Sequence, residues 1–305
     1  MPKGPVPLTP GLRWWRRLKR HRAGIVSLVV VVVVVLATLI GPHLVPSHYA
    51  ATDFAAIRQA PSSSHLLGTD ELGRDILVRV LVGGRVSLAV AVGSQVLAIV
   101  FATVMGLMAG YWTRWADTLI MRAIDLFMSI PDLLLLILLI PVLSGALRAG
   151  WVPQWLTDAN RASGGILGLV LGIALITWTV VARLVRGQVL SLREEDFVEA
   201  AVSIGASRAR VMRRHLLPNL TTVLVVAATL GVPRGVLLES GISFLGLGVN
   251  PPLPSWGTMI ADALGVMRSS PHVLLAPAVV LSITVLSLNM LGDAVRDAVD
   301  PRSGS

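Results

Sequence analysis

The chain has 305 residues, of which 54% are hydrophobic and 14% are charged. Soluble domains carry roughly 25% charged residues, so this composition excludes an ordinary soluble enzyme. The formal net charge of +9 suggests a protein that binds nucleic acid. However, two tyrosines and five phenylalanines provide few of the aromatic side chains on which the bases of a single strand stack. The absence of cysteine excludes disulfides, thiolate metal sites and cysteine nucleophiles. The composition indicates an integral membrane protein with no nucleic-acid partner.

Six apolar runs approach or exceed the length of a membrane helix, which is about 20 residues. They cover approximately residues 25–40, 86–113, 118–144, 162–182, 218–238 and 269–292. The first run resembles a signal peptide, but the prolines at 42 and 46 make a poor cleavage site and favour an uncleaved anchor. Pro131 predicts a kink in the third run. We therefore predict an all-α polytopic protein with six transmembrane helices.

The distribution of cations predicts the orientation of these spans. An even number of spans places both termini on one side, together with the loop 183–218. That side carries seventeen Lys and Arg residues against seven on the other. Because cytoplasmic flanks collect cations, we expect both termini and the loop 183–218 in the cytoplasm. The run RWWRR at residues 13–17 is typical of an interfacial belt, which makes membrane lipids an expected partner.

Two segments outside these helices have patterns of their own. Residues 239–268 are hydrophobic but interrupted by eight glycines and prolines. Irregular backbone at membrane depth is tolerated only inside protein or along a water-filled cavity. This pattern suggests a translocation path. Residues 67–75 carry three carboxylates without the spacing of an EF-hand. A structural turn before the second span is the preferred interpretation, with contact to a substrate-delivery protein as the alternative.

The most informative stretch runs from Ser191 to Asn219, on the predicted cytoplasmic side. Ser191 and Glu194 form a possible capping box at a helix start. Ala201 and Gly205 are four residues apart, so on a helix they would share one small-residue face. Gly205 also permits a sharp turn, and Pro218 can begin the next membrane helix. These features predict a compact helix–turn–helix elbow, and its second helix is basic through Arg208, Arg210, Arg213 and Arg214.

The spacing Glu199-Ala200-Ala201, three residues, Gly205 and then Leu217-Pro218 resembles the EAA loop of ABC-importer permeases. His215 departs from the general pattern, which has an aliphatic residue there. Further runs are similar to the C-type permease subunit of dipeptide and oligopeptide importers. They are LGTDELGRD (67–75), RVSL (85–88), ARLVRGQ (182–188), SFLGLG (243–248), PSWG (254–257), NMLGD (289–293) and DAVDP (297–301). The resemblance covers about residues 12–302.

This resemblance implies the transmembrane-domain fold of a type I ABC importer. Residues 1–84 would form the basic N-terminus, the first span and an extracytoplasmic segment, and residues 85–305 a five-helix core with its coupling loop at about 187–218. The coupling residues that would contact the ATPase are Glu199, Ala200, Ala201, Gly205, Leu217 and Pro218. The implied partners are a second homologous permease, ATPase subunits, an extracytoplasmic binding protein and a peptide substrate.

The chain itself is expected to bind no nucleotide, cofactor or metal. A Walker A loop needs a lysine after a glycine-rich turn, and no lysine follows Lys19. ATP and Mg would therefore be held by partner subunits, and this chain is not expected to be an enzyme. The six histidines show no metal-ligand spacing.

Charged residues within spans point to function by default because their burial is costly. Asp132, Arg234 and Glu239 are therefore candidates for the translocation path, where a carboxylate would meet the amino group of a peptide. The alternatives are a packing pair within the subunit, or Asp132 facing the partner permease. Asp125 and Arg122, three residues apart, suggest another pair.

Two questions stay open from the sequence. The same type of importer serves nickel, glutathione and other small solutes, so the substrate class is less certain than the transporter class. An ion-coupled secondary transporter is the alternative of a different class, although inverted halves with matching broken helices are expected there and only residues 239–268 are broken. A membrane scaffold would leave the elbow unexplained.

Overall fold

A computed structural model describes residues 22–45, 47–149 and 152–299, and most of these residues are helical. The α-helices are α1 (Arg22–Leu44), α2 (Ile76–Leu107), α3 (Arg114–Met128), α4 (Asp132–Arg148), α5 (Gln154–Ala162), α6 (Ile166–Leu192), α7 (Asp196–Ser203), α8 (Arg208–Val211), α9 (Leu217–Phe244), α10 (Trp256–Ala263) and α11 (Pro271–Val299). Short 3-10 helices occupy Phe54–Ala56 and Leu264–Val266. The RWWRR run lies outside the described residues.

Two π-helical turns lengthen helices of the protein. One, Met108–Trp112, extends α2, and the other, Met212–Leu216, connects α8 to α9. Continuous helices therefore run over Ile76–Trp112 and Arg208–Phe244, each 37 residues long. At 1.5 Å per residue, each is about 55 Å long and exceeds the thickness of a bilayer.

In the described part of the chain, five helical segments are long and apolar enough to cross a membrane: α1, the helix containing α2, α6, the helix containing α9, and α11. They correspond to the first, second, fourth, fifth and sixth predicted spans, which are confirmed. The shortest, α1, has 23 residues, and about 35 Å of helix is sufficient for a hydrocarbon core of about 30 Å.

The third predicted span is a broken pair of helices. The axes of α3 and α4 differ by 100°, a far larger change than the kink that Pro131 suggested. Pro131 has no N–H for a helical hydrogen bond and disfavours helical geometry at Ile130, so α3 ends before it and α4 begins after it. The chain has six spans only if this bent pair counts as one. The charged residues of α3, Arg114, Asp117, Arg122 and Asp125, already marked it as amphipathic.

The centre of the protein is the packing of α2 against α6. Gly106 and the nearby Gly110 lie directly against Val185 and Val189 of α6, and an added Cβ at Gly106 would come within 2.6 Å of a Val185 methyl group. The absence of side chains at these two glycines lets the helix backbones approach closely, as in other membrane helix pairs. Val185 and Val189 are fully buried in the largest apolar cluster.

Residues 67–75 form a structural turn at the start of α2, as predicted. The Asp70 carboxylate accepts the backbone N–H of Arg74 at 2.9 Å and pairs with the Arg74 guanidinium at 2.6 Å. Asp75 caps the first turn of α2 and lies 2.9 Å from the imidazole of His65. Because these carboxylates are already engaged with backbone N–H groups and cations, the turn is held by internal contacts.

The close contact between α2 and α6 predicts opposite effects for two glycine-to-alanine changes. Gly106→Ala should lower the free energy of unfolding by about 1–3 kcal/mol, because the new methyl group overpacks the contact with Val185. Gly187→Ala is the matched control, since no atom lies within 4 Å of its added Cβ and alanine favours helix by about 1 kcal/mol. Thermal unfolding of the two purified variants in detergent measures the difference. An equal effect of both changes would contradict the proposed close packing.

Candidate functional site

The segment that resembles an EAA loop is an elbow between α6 and α9, which we call the EAA elbow (residues 193–216). The predicted capping box at its start is wrong. Ser191 lies inside α6, which continues to Leu192, and α7 begins only at Asp196, after Glu195. The apolar face of α6 extends through Val189, which is buried, so helical packing continues past the polar pair that suggested a start.

Gly205 forms the bend of the EAA elbow. Its φ is +83°, a conformation that residues with a side chain rarely adopt. The N–H of Gly205 donates to the carbonyl of Val202 at 2.9 Å, and the N–H of Ala206 donates to the carbonyl of Ala201 at 3.0 Å. These two bonds form a Schellman motif, which ends α7 and turns the chain into α8. The sharp turn predicted at Gly205 is thus present, and its cause is the backbone conformation.

The EAA elbow has one face against the protein and one face that is open. Val198, Ala201, Val211 and Leu216 are buried in the same apolar cluster as the central part of α6. Ala201 and Gly205 therefore do not share an exposed helical face, because Ala201 points inward and α7 ends before Gly205. The open face carries Phe197, Glu199, Ala200, Val202 and Ile204. Ile204 is 87% exposed, which is unusual for a large apolar side chain and marks a contact surface.

The end of the EAA elbow leads directly into a membrane helix. Leu217 and Pro218 are the first residues of α9, with the proline in its first turn as predicted. Arg208 donates to the backbone carbonyl of Trp112 at 3.0 Å. Because Trp112 is the last residue of the helix that contains α2, this bond links the elbow to the central helix pair.

Ion pairs fasten α3 to α6 beside the elbow. Arg186 donates to Asp117 at 2.7 Å, and Arg183 donates to Asp125 at 2.9 Å. The interpretation of Asp125 as a partner of Arg122 is therefore corrected. The sequence suggested the run ARLVRGQ as a motif but did not indicate its partners, because the two pairs join residues 58 and 69 positions apart.

The glycine- and proline-rich segment between α9 and α10 lines cavities, as its composition suggested. Gly246 and Gly248 line two cavities, of about 400 and 620 Å³. Pro251 and Pro252 line the second of these and a third of about 850 Å³. The segment joins the elbow-distal end of α9 to α10, so the irregular backbone lies on cavity walls.

Glu239, one of the three predicted path residues, does not line any of these cavities. Its side chain is fully buried, and its carboxylate accepts a hydrogen bond from Ser243 at 2.7 Å. The hydroxyls of Ser87 and Ser255 lie against the same carboxyl group. The structure therefore replaces the pore-facing interpretation of Glu239 with a packing role that ties α2, α9 and the start of α10 together. Ser243, four residues along α9, and the adjacent Ser240 are the partners close in sequence, whereas Ser87 and Ser255 are distant in the chain.

Asp132 and Arg234, the other two candidates, form an ion pair that joins the start of α4 to α9. Both side chains are partly exposed. This ion pair agrees with the alternative interpretation, a packing pair within the subunit. Because both side chains are partly exposed, their role in the translocation path stays a prediction.

The family model described as "Binding-protein-dependent transport system inner membrane component" matches residues 102–305, about two thirds of the chain. The chain belongs to this family. A second model, the N-terminal transmembrane domain of oligopeptide transport permease C, matches residues 9–61. The resemblance to C-type ABC-importer permeases is thereby confirmed, and the protein is a multi-pass membrane permease subunit.

Individual relatives of this permease extend over nearly the whole chain. The dipeptide transport system permease protein DppC of Alkalihalophilus pseudofirmus is 35% identical and covers 98% of this chain and 92% of the relative. The oligopeptide permease OppC of Haemophilus influenzae is 35% identical over 94% of this chain and 87% of its own. The glutathione permease GsiD of Pectobacterium atrosepticum is 34% identical over 96% and 92%.

A solved structure shares the fold of this permease. The inward-facing MetNI methionine ABC transporter matches with a TM-score of 0.55 and 22% identity, over 74% of this chain and 96% of that chain. The predicted all-α transmembrane-domain fold of an ABC importer is confirmed.

The buried position of Glu239 predicts which of two substitutions the permease tolerates. Glu239→Ala should lower the free energy of unfolding by about 1–3 kcal/mol or more, because it leaves buried serine hydroxyls without an acceptor. Glu239→Gln keeps an acceptor oxygen and nearly the same volume, so stability and transport should remain close to those of the natural chain. Thermal unfolding and substrate uptake of both variants are the measurements. Folded Glu239→Gln protein with uptake lost would restore the pore-facing interpretation.

Proposed function

We propose that this chain is one of two permease subunits of an ATP-driven importer for dipeptides and oligopeptides. It lies in the inner membrane of a prokaryote, with both termini and the EAA elbow in the cytoplasm. The observation that carries the proposal is the EAA elbow itself, which combines an exposed apolar face with a rigid attachment to α6 and α9. The excess of cations on the side of the elbow supports the orientation.

The open face of the EAA elbow is proposed to dock on an ATPase subunit, which binds ATP and Mg. Ile204 and Phe197 would enter an apolar groove on that subunit, while Glu199 and the exposed Arg210 would meet polar groups at its rim. Ala200 and Gly205 permit close approach, and Leu217 and Pro218 transmit the contact into α9. Ala201 supports the elbow from inside, because it is buried against the permease.

Transmission to the membrane follows from the continuity of one helix. The helix Arg208–Phe244 begins in the EAA elbow and ends at the glycine- and proline-rich segment that lines the cavities. Near its outer end this helix is tied by Arg234 to α4 and, five residues further on, by Glu239 to α2. Closure of the ATPase subunits would therefore move α9 and its cavity segment together. This is the alternating access of a two-state transporter.

The proposed substrate class rests on the relatives, of which two are named for dipeptide or oligopeptide transport and one for glutathione. A peptide carries an ammonium and a carboxylate, and the partly exposed Asp132 and Arg234 present one charge of each sign. An extracytoplasmic binding protein would deliver the peptide, in keeping with the description of the family. Glutathione or another small solute is the second candidate for the substrate. Membership of the family does not favour the alternative class, an ion-coupled transporter.

The exposed position of Ile204 predicts a specific defect in assembly. Ile204→Asp should weaken association with the ATPase by roughly tenfold or more, because a charge replaces an apolar anchor in a desolvated contact. Ile204→Val is the matched control and should assemble normally. Gly205→Ala should also weaken association, since alanine at this φ costs about 1–2 kcal/mol and disturbs the bend. Co-purification of the ATPase with each membrane-inserted variant measures the effect, and normal assembly of Ile204→Asp would exclude docking through this face.

The transport proposal predicts that peptide uptake depends on the ATPase, on ATP and on the binding protein. Proteoliposomes that contain the permease pair and ATPase should accumulate a labelled dipeptide only when ATP and the binding protein are both supplied. A labelled methionine or nickel ion offered under the same conditions is the substrate control. Uptake driven by an ion gradient without the ATPase would contradict the importer assignment. ATP-dependent uptake of another solute in place of peptides would retain the importer and overturn the substrate class.

A further inference from the structure

Two cavities on the side away from the EAA elbow meet at Arg85. The first, which we call the cationic cavity, has a volume of about 850 Å³ and includes His43, His48, Arg85 and Arg161 among its lining residues. The second, which we call the apolar groove, has a volume of about 560 Å³ and lies between α1, α2, α9 and α11. Arg85 and Ala89 line both cavities. The two cavities thus adjoin at Arg85 and Ala89, one with a charged lining and the other with an apolar lining.

Within the described residues, the charged end has no carboxylate counterion. No aspartate or glutamate among the described residues lines either cavity. Neither Arg85 nor Arg161 forms an ion pair with any residue in the described ranges. Both arginines are exposed, so their guanidinium groups are available to a charge-assisted hydrogen bond with an anion. The cationic cavity thus suits a ligand with a negative charge.

His48 adds a hydrogen-bond donor to the same cavity. Its Nδ1 accepts the backbone N–H of Ala50 at 3.3 Å. In the neutral imidazole this places the proton on Nε2, which remains able to donate. The donors of the cavity therefore include two guanidinium groups and an imidazole N–H, which match the oxygens of a phosphate.

The apolar groove has the composition of a site for a hydrocarbon chain. Apart from Arg85 and three threonine residues, its lining consists of aliphatic side chains. Val31, Val35 and Leu39 of α1 form one wall, and Leu88 and Val92 of α2 continue from Arg85 toward the membrane interior. A peptide would place backbone amides in this groove without partners, at a cost that a hydrocarbon chain does not incur.

The depth of Arg85 places the charged end at the membrane surface. Arg85 and Trp112 lie 27 positions apart on one continuous helix, which corresponds to about 40 Å. This is close to the thickness of a bilayer with its headgroups. With Trp112 at one interface, as tryptophans prefer, Arg85 lies at the opposite headgroup layer. His43, at the end of α1, is at the same level.

We propose that this site binds one phospholipid from the leaflet opposite the EAA elbow. The phosphate lies between Arg85 and Arg161, with His48 as a further donor, and one acyl chain occupies the apolar groove beside α1. The bound lipid fills the space between α1 and the core helices α2, α9 and α11. It thereby completes the packing of the first span onto the rest of the permease, whatever solute the importer carries.

The proposal is tested by lipid binding to the full chain, purified in detergent with its co-purifying subunits and then delipidated. Phosphatidylglycerol is titrated in, and bound lipid is counted by native mass spectrometry. Arg85→Gln and Arg161→Gln should each raise the apparent Kd by roughly fivefold, because one arginine near a headgroup contributes about 1 kcal/mol. Arg268→Gln, at an exposed arginine on the same side that lines neither cavity, is the matched control and should bind as the natural chain does.

A second pair of variants tests the acyl-chain end while all charges remain. Ala89→Phe should block the junction of the two cavities and abolish tight binding. Val96→Phe, on the same helix but outside the groove, should leave binding unchanged. The proposal would be overturned if the Arg85 and Arg161 variants, or folded Ala89→Phe protein, bound phosphatidylglycerol with the same Kd as the natural chain. Displacement of phosphatidylglycerol by a soluble dipeptide would also overturn it and would assign the cavity to the transport path.

Discussion

The close packing of α2 against α6 is the constraint on which the other features depend. Gly106 and Gly110 remove side-chain bulk where Val185 and Val189 press inward. At one end of this helix pair lies the EAA elbow, whose buried residues extend the same apolar cluster. At the other end lie the turn at residues 67–75 and the carboxylate of Glu239. In a bilayer, where apolar contact with lipid is as favourable as apolar contact with protein, such shape-dependent contacts position the helices. The contact between α2 and α6 thus positions the EAA elbow at one end and the turn at residues 67–75 at the other.

Much of this architecture follows from local sequence signals. Long apolar runs identify five spans, because a membrane helix must be apolar over about 20 residues. The bend at Gly205 and the start of α9 at Pro218 follow from the backbone preferences of these two residue types. The EAA spacing and its flanking motifs gave the family, which the comparisons confirm. What these signals share is that each acts within a few residues of its own position.

The features that sequence reasoning missed are set by contacts between distant residues. Hydropathy merged α3 and α4 into one span, although proline geometry at Pro131 and the charges of α3 separate them. Glu239 was interpreted as pore-facing from its charge alone, whereas serines from two other parts of the chain satisfy its carboxylate. Asp125 was assigned to a neighbour on its own helix and pairs instead with Arg183. Partners of buried charges depend on helix packing, which spacing along one helix does not contain.

The π-helical turn at Met212–Leu216 gives the permease a property that a hinge would not provide. Such a turn holds one residue more than α-helical winding requires. Each residue of an α-helix contributes about 100° of rotation and 1.5 Å of rise. Tightening the turn to α geometry would therefore rephase the membrane-embedded face of α9 relative to the elbow by about that angle, while the helix stays unbroken. Rotation about the helix axis, in addition to tilting, is thus available to change which side chains face the cavities.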